Sequence, residues 1–182
     1  MKGMYWFSYM KKLVVIINGN GGVGKDTLCD FAKDVFTVRN ISAITPIKEI
    51  AAAHGWNGEK DAKARKFLAD LKAAFIDYND LPFLYIKEEY HSFLEDEKED
   101  ILFVHIREAE EIEKVKQYVK TPCITLLVTR EQKNGQCWGN PSDDNVACYT
   151  YDYQYSNDKK LGEARADFIA FLQEIFEKHS SL

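Results

Sequence analysis

Apolar residues along this chain fall into two rhythms. Near-continuous apolar runs stand at residues 13–17, 101–106 and 123–128, broken only by His105 and Thr125. A run that is apolar at nearly every position predicts a strand covered on both faces, as in a parallel sheet. Between these runs, apolar residues recur at spacings of three and four, the period of a helix with one buried stripe. Leu28, Phe31, Ala32, Val35 and Phe36 predict a first helix that starts near Lys25 and has stopped by Arg39-Asn40. Residues 41–45 read as a second strand, and Pro46 opens a short helix over 47–53 in the first turn, where proline is tolerated. Ala64, Phe67, Leu68, Leu71, Phe75 and Tyr78 form one stripe of a long helix, about 59–78. A further helix is expected over 82–94, then a solvated acidic turn over 95–100. A charged helix follows over 108–120, with Ala109, Ile112, Val115 and Val119 inward, then a strand within 149–155 and a closing helix over 160–178. Strands alternating with helices predict an α/β fold of three layers around a five-stranded, mainly parallel sheet. Two of the helices form an insertion between strands two and three.

The first strand ends in Asn-Gly-Asn-Gly-Gly-Val-Gly-Lys-Asp-Thr-Leu, residues 18–28. Gly19 and Gly24, with Lys25 directly after, have the spacing of the phosphate-binding loop G-x-x-x-x-G-K. Such a loop turns backbone N–H groups toward phosphate oxygens, and side chains there would block the approach. The helix beginning near Lys25 adds its positive dipole end. Residues Gly19, Asn20, Gly21, Gly22, Val23, Gly24, Lys25, Asp26, Thr27 and Leu28 are therefore the expected nucleotide-binding stretch, with ATP the expected ligand and the fold a P-loop NTPase type. The hydroxyl residue that usually follows the lysine and holds magnesium is replaced by Asp26, with Thr27 one place later. Both are candidate Mg2+ ligands, and Asp26 has an alternative place near the acceptor.

Composition narrows the partners. Lysine plus arginine total 24 against 29 acidic residues, a net charge of -5, which argues against a nucleic-acid polymer. A small anion needs only a local positive pocket. No apolar tract approaches a membrane span. Cys29 and Cys123 read as buried thiols and Cys137 and Cys148 as loop residues, without a metal-binding C-x-x-C pair, which suits a reducing cytoplasm. Residues 1–10 read as an N-terminal appendage, or a mis-assigned start ahead of Met10. Residues 11–182 then form one domain, with 46–98 a helical part where an acceptor could bind and 130–148 an irregular polar loop. Oligomeric state is left open, a homodimer included.

In a parallel sheet, ligands gather beyond the C-terminal ends of the strands. The glycine turn, Lys48, Arg107 and Arg130 all fall there. Cations converging on one edge suit phosphoryl transfer, which must hold several negative charges in line. Lys25, Arg107 and Arg130 are the candidate catalytic residues; Lys48, Arg65 and Arg107 are the candidate acceptor ligands. Surface ion pairs with Glu108 or Glu131 are the competing explanation for the arginines. Arg39 belongs at the opposite end of the sheet and reads as structural. His105 reads first as a packed residue near the site, and Asp143 and Asp144 as turn residues of the long loop.

Residues 22–27, Gly-Val-Gly-Lys-Asp-Thr, resemble the Gly-Lys-Asp-Thr loop of deoxynucleoside monophosphate kinases from phage and bacteria, and the Gly-Lys-Asp start also occurs in animal-type phosphomevalonate kinase. Thr45-Pro46-Ile47-Lys48-Glu49, the segment from Trp56 through Asp61 to Arg65, Arg107, Tyr151-Asp152-Tyr153 and Asn157-Asp158 fit the same group in order. The resemblance implies an adenylate kinase-like fold and ATP-dependent transfer to a (deoxy)nucleoside monophosphate or another small phosphorylated acceptor. It also implies that Lys25 and Arg107 bind the transferring phosphate and that Arg130 opens a lid over ATP. Two departures stand out. His105-Ile106-Arg107 replaces the Asp-x-Arg usual in that group, and the lid is short. A non-catalytic ATP-binding protein is therefore the alternative from another class. No Asn-Lys-x-Asp motif points to a GTPase.

Overall fold

A computed structural model describes residues 12–131, 146 and 149–180. The elements in order are β1 (Leu13–Asn18), α1 (Lys25–Ala32), β2 (Val38–Ser42), α2 (Thr45–Ala53), α3 (Ala62–Asn79), α4 (Leu81–Glu95), β3 (Ile101–His105), α5 (Ala109–Tyr118), β4 (Cys123–Thr129), β5 (Tyr153–Ser156) and α6 (Leu161–Ser180). The sheet has the order β2-β3-β1-β4-β5. Every neighbouring pair is parallel, so the sheet is wholly rather than mainly parallel.

β1 lies at the centre because all of Leu13, Val14, Val15, Ile16 and Ile17 can be buried at once. Each is fully inaccessible to solvent, and burying such a side chain contributes about 2 kcal/mol. Alternation along the strand divides them between two layers. Leu13, Val15 and Ile17 join Leu28 and Ala32 of α1 and Phe168, Leu172 and Ile175 of α6. Val14 and Ile16 join Ile86, Tyr90 and Phe93 of α4 and Ile112 and Val115 of α5. A third, smaller cluster holds Ile47, Ala51 and Leu68, from α2 and α3 alone.

The N-terminal edge of the sheet is held by two cations. Lys12, 7% exposed, donates to the carbonyls of Phe93, Asp96 and Glu99 at 2.7, 2.6 and 2.8 Å. Its three protons thus serve carbonyls at and just beyond the end of α4, which lack partners within the helix. Arg39 donates to Glu99 and to Glu89, each at 2.9 Å. The structural reading of Arg39 holds, at the end of the sheet away from the glycine turn.

Several boundaries differ from the sequence reading. β2 spans Val38–Ser42 rather than 41–45, because pairing begins where Val38 meets Ile101 of β3, and Thr45 already belongs to the helix that Pro46 opens. α1 ends at Ala32. The chain beyond it tightens into turns in which Lys33, Asp34 and Val35 bond three residues back. α3 starts at Ala62 rather than 59, because the Asp61 carboxylate caps it by accepting from the Ala64 N–H at 2.7 Å. β5 spans Tyr153–Ser156 and so runs one residue past the expected stretch 149–155. The proposed appendage, the bulk of the lid-like loop, Cys137, Cys148, Asp143 and Asp144 lie outside the described residues. No helix among the described residues is long and apolar enough to cross a membrane.

Replacing Lys12 with Met keeps the apolar stem and removes its three donors, leaving the Asp96 carbonyl only the Glu99 N–H at 3.3 Å. The expected cost is about 1–3 kcal/mol, seen as a lower urea midpoint with an unchanged slope. An unchanged midpoint would mean that water caps α4 equally well.

Candidate functional site

The site is built on the turn between β1 and α1. Two of its glycines, Gly19 and Gly24, are required by space as well as by backbone angle. Gly19 has φ +145°, and a Cβ there would stand 2.3 Å from the Val128 carbonyl of β4. Gly24 has φ +92°, and its Cβ would stand 2.6 Å from the Asn157 side chain. Asn157, just after β5, donates to the Val23 carbonyl at 2.8 Å while its own N–H bonds Thr129 at 2.8 Å. The turn is therefore clamped from below by β4 and β5. Lys25 folds back over it and donates to the carbonyls of Gly19 and Asn20 at 2.5 and 3.0 Å.

Asn18 links this turn to the end of β3. Its side chain is 1% exposed. The Oδ1 atom accepts from the Gly19 N–H at 2.8 Å, and Nδ2 donates to the Arg107 carbonyl at 3.0 Å and the Tyr151 hydroxyl at 2.7 Å. Tyr151 in turn donates to the Val146 carbonyl at 2.9 Å. One buried amide thus fixes the glycine turn, the backbone of Arg107 and the segment before β5 with respect to each other. Beyond β5, Asp158 accepts from the Glu131 N–H at 2.6 Å, which anchors the chain directly after Arg130.

His105 ends β3 on the face that α1 covers. Its Nε2 is 2.8 Å from the Asn40 side-chain oxygen, 3.7 Å from the Asp26 carboxylate and 3.8 Å from the Cys29 sulfur. The Asn40 contact fits a neutral ring donating from Nε2. Burial, with Lys25 and Lys48 behind it, outweighs the upward pull of Asp26 and holds the imidazole down at about 4. Burial likewise drives the Cys29 thiol far up, with Asp26 and Asp30 adding to the rise, so it is no nucleophile.

The expected site residues divide in three. The glycines, Asn20, Lys25, Asp26 and Thr27 do lie in one turn with the first turn of α1, and Lys48, Arg107 and Arg130 do follow β2, β3 and β4. Arg65 stands in the first turns of α3, on the helical part. Leu28 is different: its side chain is wholly buried in the core and its N–H bonds the Gly24 carbonyl at 3.0 Å. The Leu28 side chain fastens α1 to the sheet. Asn18, Asn40 and Asn157 frame the turn and its surroundings; sequence reasoning passes over Asn18 and Asn40 and names Asn157 only within a segment of the resemblance, without its contact to Val23. The one usable signal is a polar residue closing the apolar run of β1.

Among the described residues, no group of three or more His, Cys, Asp or Glu side chains could hold a metal ion. Magnesium in a nucleotide site takes one or two protein oxygens and fills its shell with phosphate and water. The Asp26 carboxylate, 90% exposed in the first turn of α1, and the exposed Thr27 hydroxyl can supply such oxygens.

Gly24→Ala is expected to cost about 1–3 kcal/mol through its positive φ and the close approach of Asn157, measured by denaturant unfolding. His105 makes a signed prediction. Its folded value of about 4 lies below the ordinary 6.5, so the unfolded chain binds more protons between them. Its contribution to stability is complete above 6.5 and is lost as pH falls toward 4. His105→Asn should flatten that part of the stability profile, and an identical profile would show that His105 does not titrate in this way.

No known family's sequence profile matches the chain, and no curated protein sequence matches it. Solved structures do. A presumed kinase from Chloroflexus aurantiacus J-10-fl superposes with a TM-score of 0.56 at 12% identity, covering 93% of this chain and 98% of that one. A gluconokinase from Sinorhizobium meliloti 1021 gives 0.50 at 12%, with 93% and 95% covered. A shikimate kinase from Aquifex aeolicus vf5 gives 0.50 at 13%, with 90% and 96% covered. At such identities the likeness is one of fold alone, a five-stranded parallel sheet with helices on both faces shared with these proteins.

Proposed function

We propose that this protein is an ATP-dependent phosphotransferase acting on a (deoxy)nucleoside monophosphate. The observation that carries the reading is the Asn18 bridge, which holds a phosphate-type glycine turn and the arginine after β3 in one rigid frame. On this reading the turn's N–H groups receive the ATP phosphates. Lys25 exchanges the Gly19 and Asn20 carbonyls for β- and γ-phosphate oxygens. Arg107, with Lys48 and Arg65, holds the acceptor phosphate in line, and Arg130 approaches ATP from the other side. Asp26 and Thr27 would hold magnesium, which neutralises charge on the phosphates.

In the transfer, the bond from the γ-phosphorus to the β-bridging oxygen breaks, and a bond to an acceptor phosphate oxygen forms. The products are ADP and a diphosphate. The attacking oxygen is already anionic near neutral pH, so no group must remove a proton. A neutral His105 bonded to Asn40 is consistent with that, because the step asks nothing of it beyond shape. The protein supplies alignment and positive charge.

Two other readings retain a specific observation. The fold is shared with kinases named for gluconate and shikimate, and the loop resemblance extends to phosphomevalonate kinase, so a non-nucleotide acceptor is the second reading. His105 in place of the aspartate supports a non-catalytic ATP-binding protein as the third.

The deciding experiment offers purified protein Mg-ATP with each candidate: deoxynucleoside monophosphates, ribonucleoside monophosphates, phosphomevalonate, gluconate and shikimate. Acceptor-dependent ADP release with a nucleoside monophosphate is expected. Release only with another acceptor selects the second reading, and tight ATP binding without any release selects the third. Lys25→Ala should lower turnover by about a hundredfold or more and weaken ATP binding while the unfolding midpoint stays near wild type. Unchanged turnover would remove the phosphate-loop assignment.

A further inference from the structure

The helical part rests on the molecule lightly. α2 and α3 enclose their own small apolar cluster, separate from the two that cover the sheet. A helix seated on so small a core needs another tie to keep a fixed orientation. On α3 that tie is Lys72. Its side chain is 12% exposed, and its ammonium lies 2.8 Å from Glu108 and 2.8 Å from Glu111. Glu108 directly follows Arg107 and caps α5, and Glu111 lies in the first turn of α5. A second pair of reversed polarity lies farther along, where Lys114 of α5 reaches Asp80 at the C-terminal cap of α3, at 2.6 Å. α5 therefore grips α3 at two points, and the opposed signs permit only one register.

Lys72 stands seven residues after Arg65, two turns along the same face of α3, with the buried Leu68 between them. At its other end the grip falls on the residue next to Arg107. We propose that Lys72 is a positioning residue: by holding Glu108 and Glu111 it sets how α3, and with it Arg65, stands relative to Arg107. The proposal rests on the reading of Arg65 and Arg107 as acceptor ligands. The carboxylates themselves record the grip. Burial acts to raise Glu108, yet Lys72 holds it below the ordinary value, while burial, with Glu108 adding to it, lifts Glu111 to about 7 despite Lys72. One ammonium serves two partly desolvated acids, so removing it leaves them facing each other without their shared cation.

The test compares Lys72→Met, Lys72→Arg and Glu111→Gln with the wild-type chain, using two readouts. The first is amide hydrogen exchange, which needs no acceptor. In Lys72→Met the amides of α3 should exchange about tenfold faster, with those of β1, β3 and β4 near wild type. Lys72→Arg should restore most of the protection, and Glu111→Gln should give a smaller change in the same direction. The second is steady-state kinetics with the deoxynucleoside monophosphate that the panel selects. The acceptor KM should rise about tenfold in Lys72→Met with the ATP KM unchanged. Unchanged exchange in α3, or equal acceleration through the sheet, overturns the proposal, as does an equal rise of both KM values. If Lys72→Met does not fold, Glu111→Gln decides by the same criteria. If the wild type phosphorylates no nucleoside monophosphate, the functional reading fails on its own, and exchange in α3 still decides whether Lys72 holds the helix.

Discussion

The Asn18 side chain lies where β1 ends, and its bonds decide where the phosphate-facing groups stand. An amide can donate and accept at once, and buried at 1% exposure it must do both. It accepts from the glycine turn and donates to the backbone of Arg107 and to Tyr151. A carboxylate could not donate, and an aliphatic side chain would orphan partners from three segments. The order β2-β3-β1-β4-β5 places β3 and β4 on either side of β1. A side chain at the end of β1 can therefore reach the segment after β3, and the turn after β1 comes under the control of β4 and the residues after β5.

That arrangement explains why the turn is so intolerant of side chains. Val128 closes on Gly19 from one side and Asn157 on Gly24 from the other. A loop with room around it could accept alanine and re-form its phosphate cradle. This one is pinned at Gly19 and Gly24, the two ends of the turn, before any ligand arrives, so the backbone there has little freedom to lose on binding. In that sense the rigidity of the sheet is extended into the site.

Legibility in the sequence followed burial. β1, β3 and β4 are apolar at nearly every position and could be located closely. β2 is an edge strand carrying Arg39 and Asn40, so its polar half looked like the end of a helix. α3 was drawn too long because its capping carboxylate, Asp61, stands in a run of other charged residues. The glycine turn was legible through spacing alone, and the cations after β3 and β4 through their place in the strand order. The asparagines were not. Asn18 bonds a residue 89 positions away, Asn40 one 65 away and Asn157 one 134 away, and no local pattern announces such pairs. Leu28 follows the exposed Asp26 and Thr27 in sequence, while the helical period turns its side chain, with that of Cys29, into the core.

The lysine just before β1 has a chemical side. An ammonium whose three protons are all engaged by carbonyls, beneath the ring of Phe93 at 4.3 Å, has no lone pair to offer. Amine-directed reagents reach it only when the end of α4 has let go of the sheet. Burial also holds its pKa below the usual lysine value against the pull of Glu99, Asp96 and Asp100. Once exposed, it recovers the behaviour of an ordinary surface lysine. Lys12 is thus a built-in reporter: its acylation, followed residue by residue, times the opening of this end of the molecule separately from events at the phosphate turn.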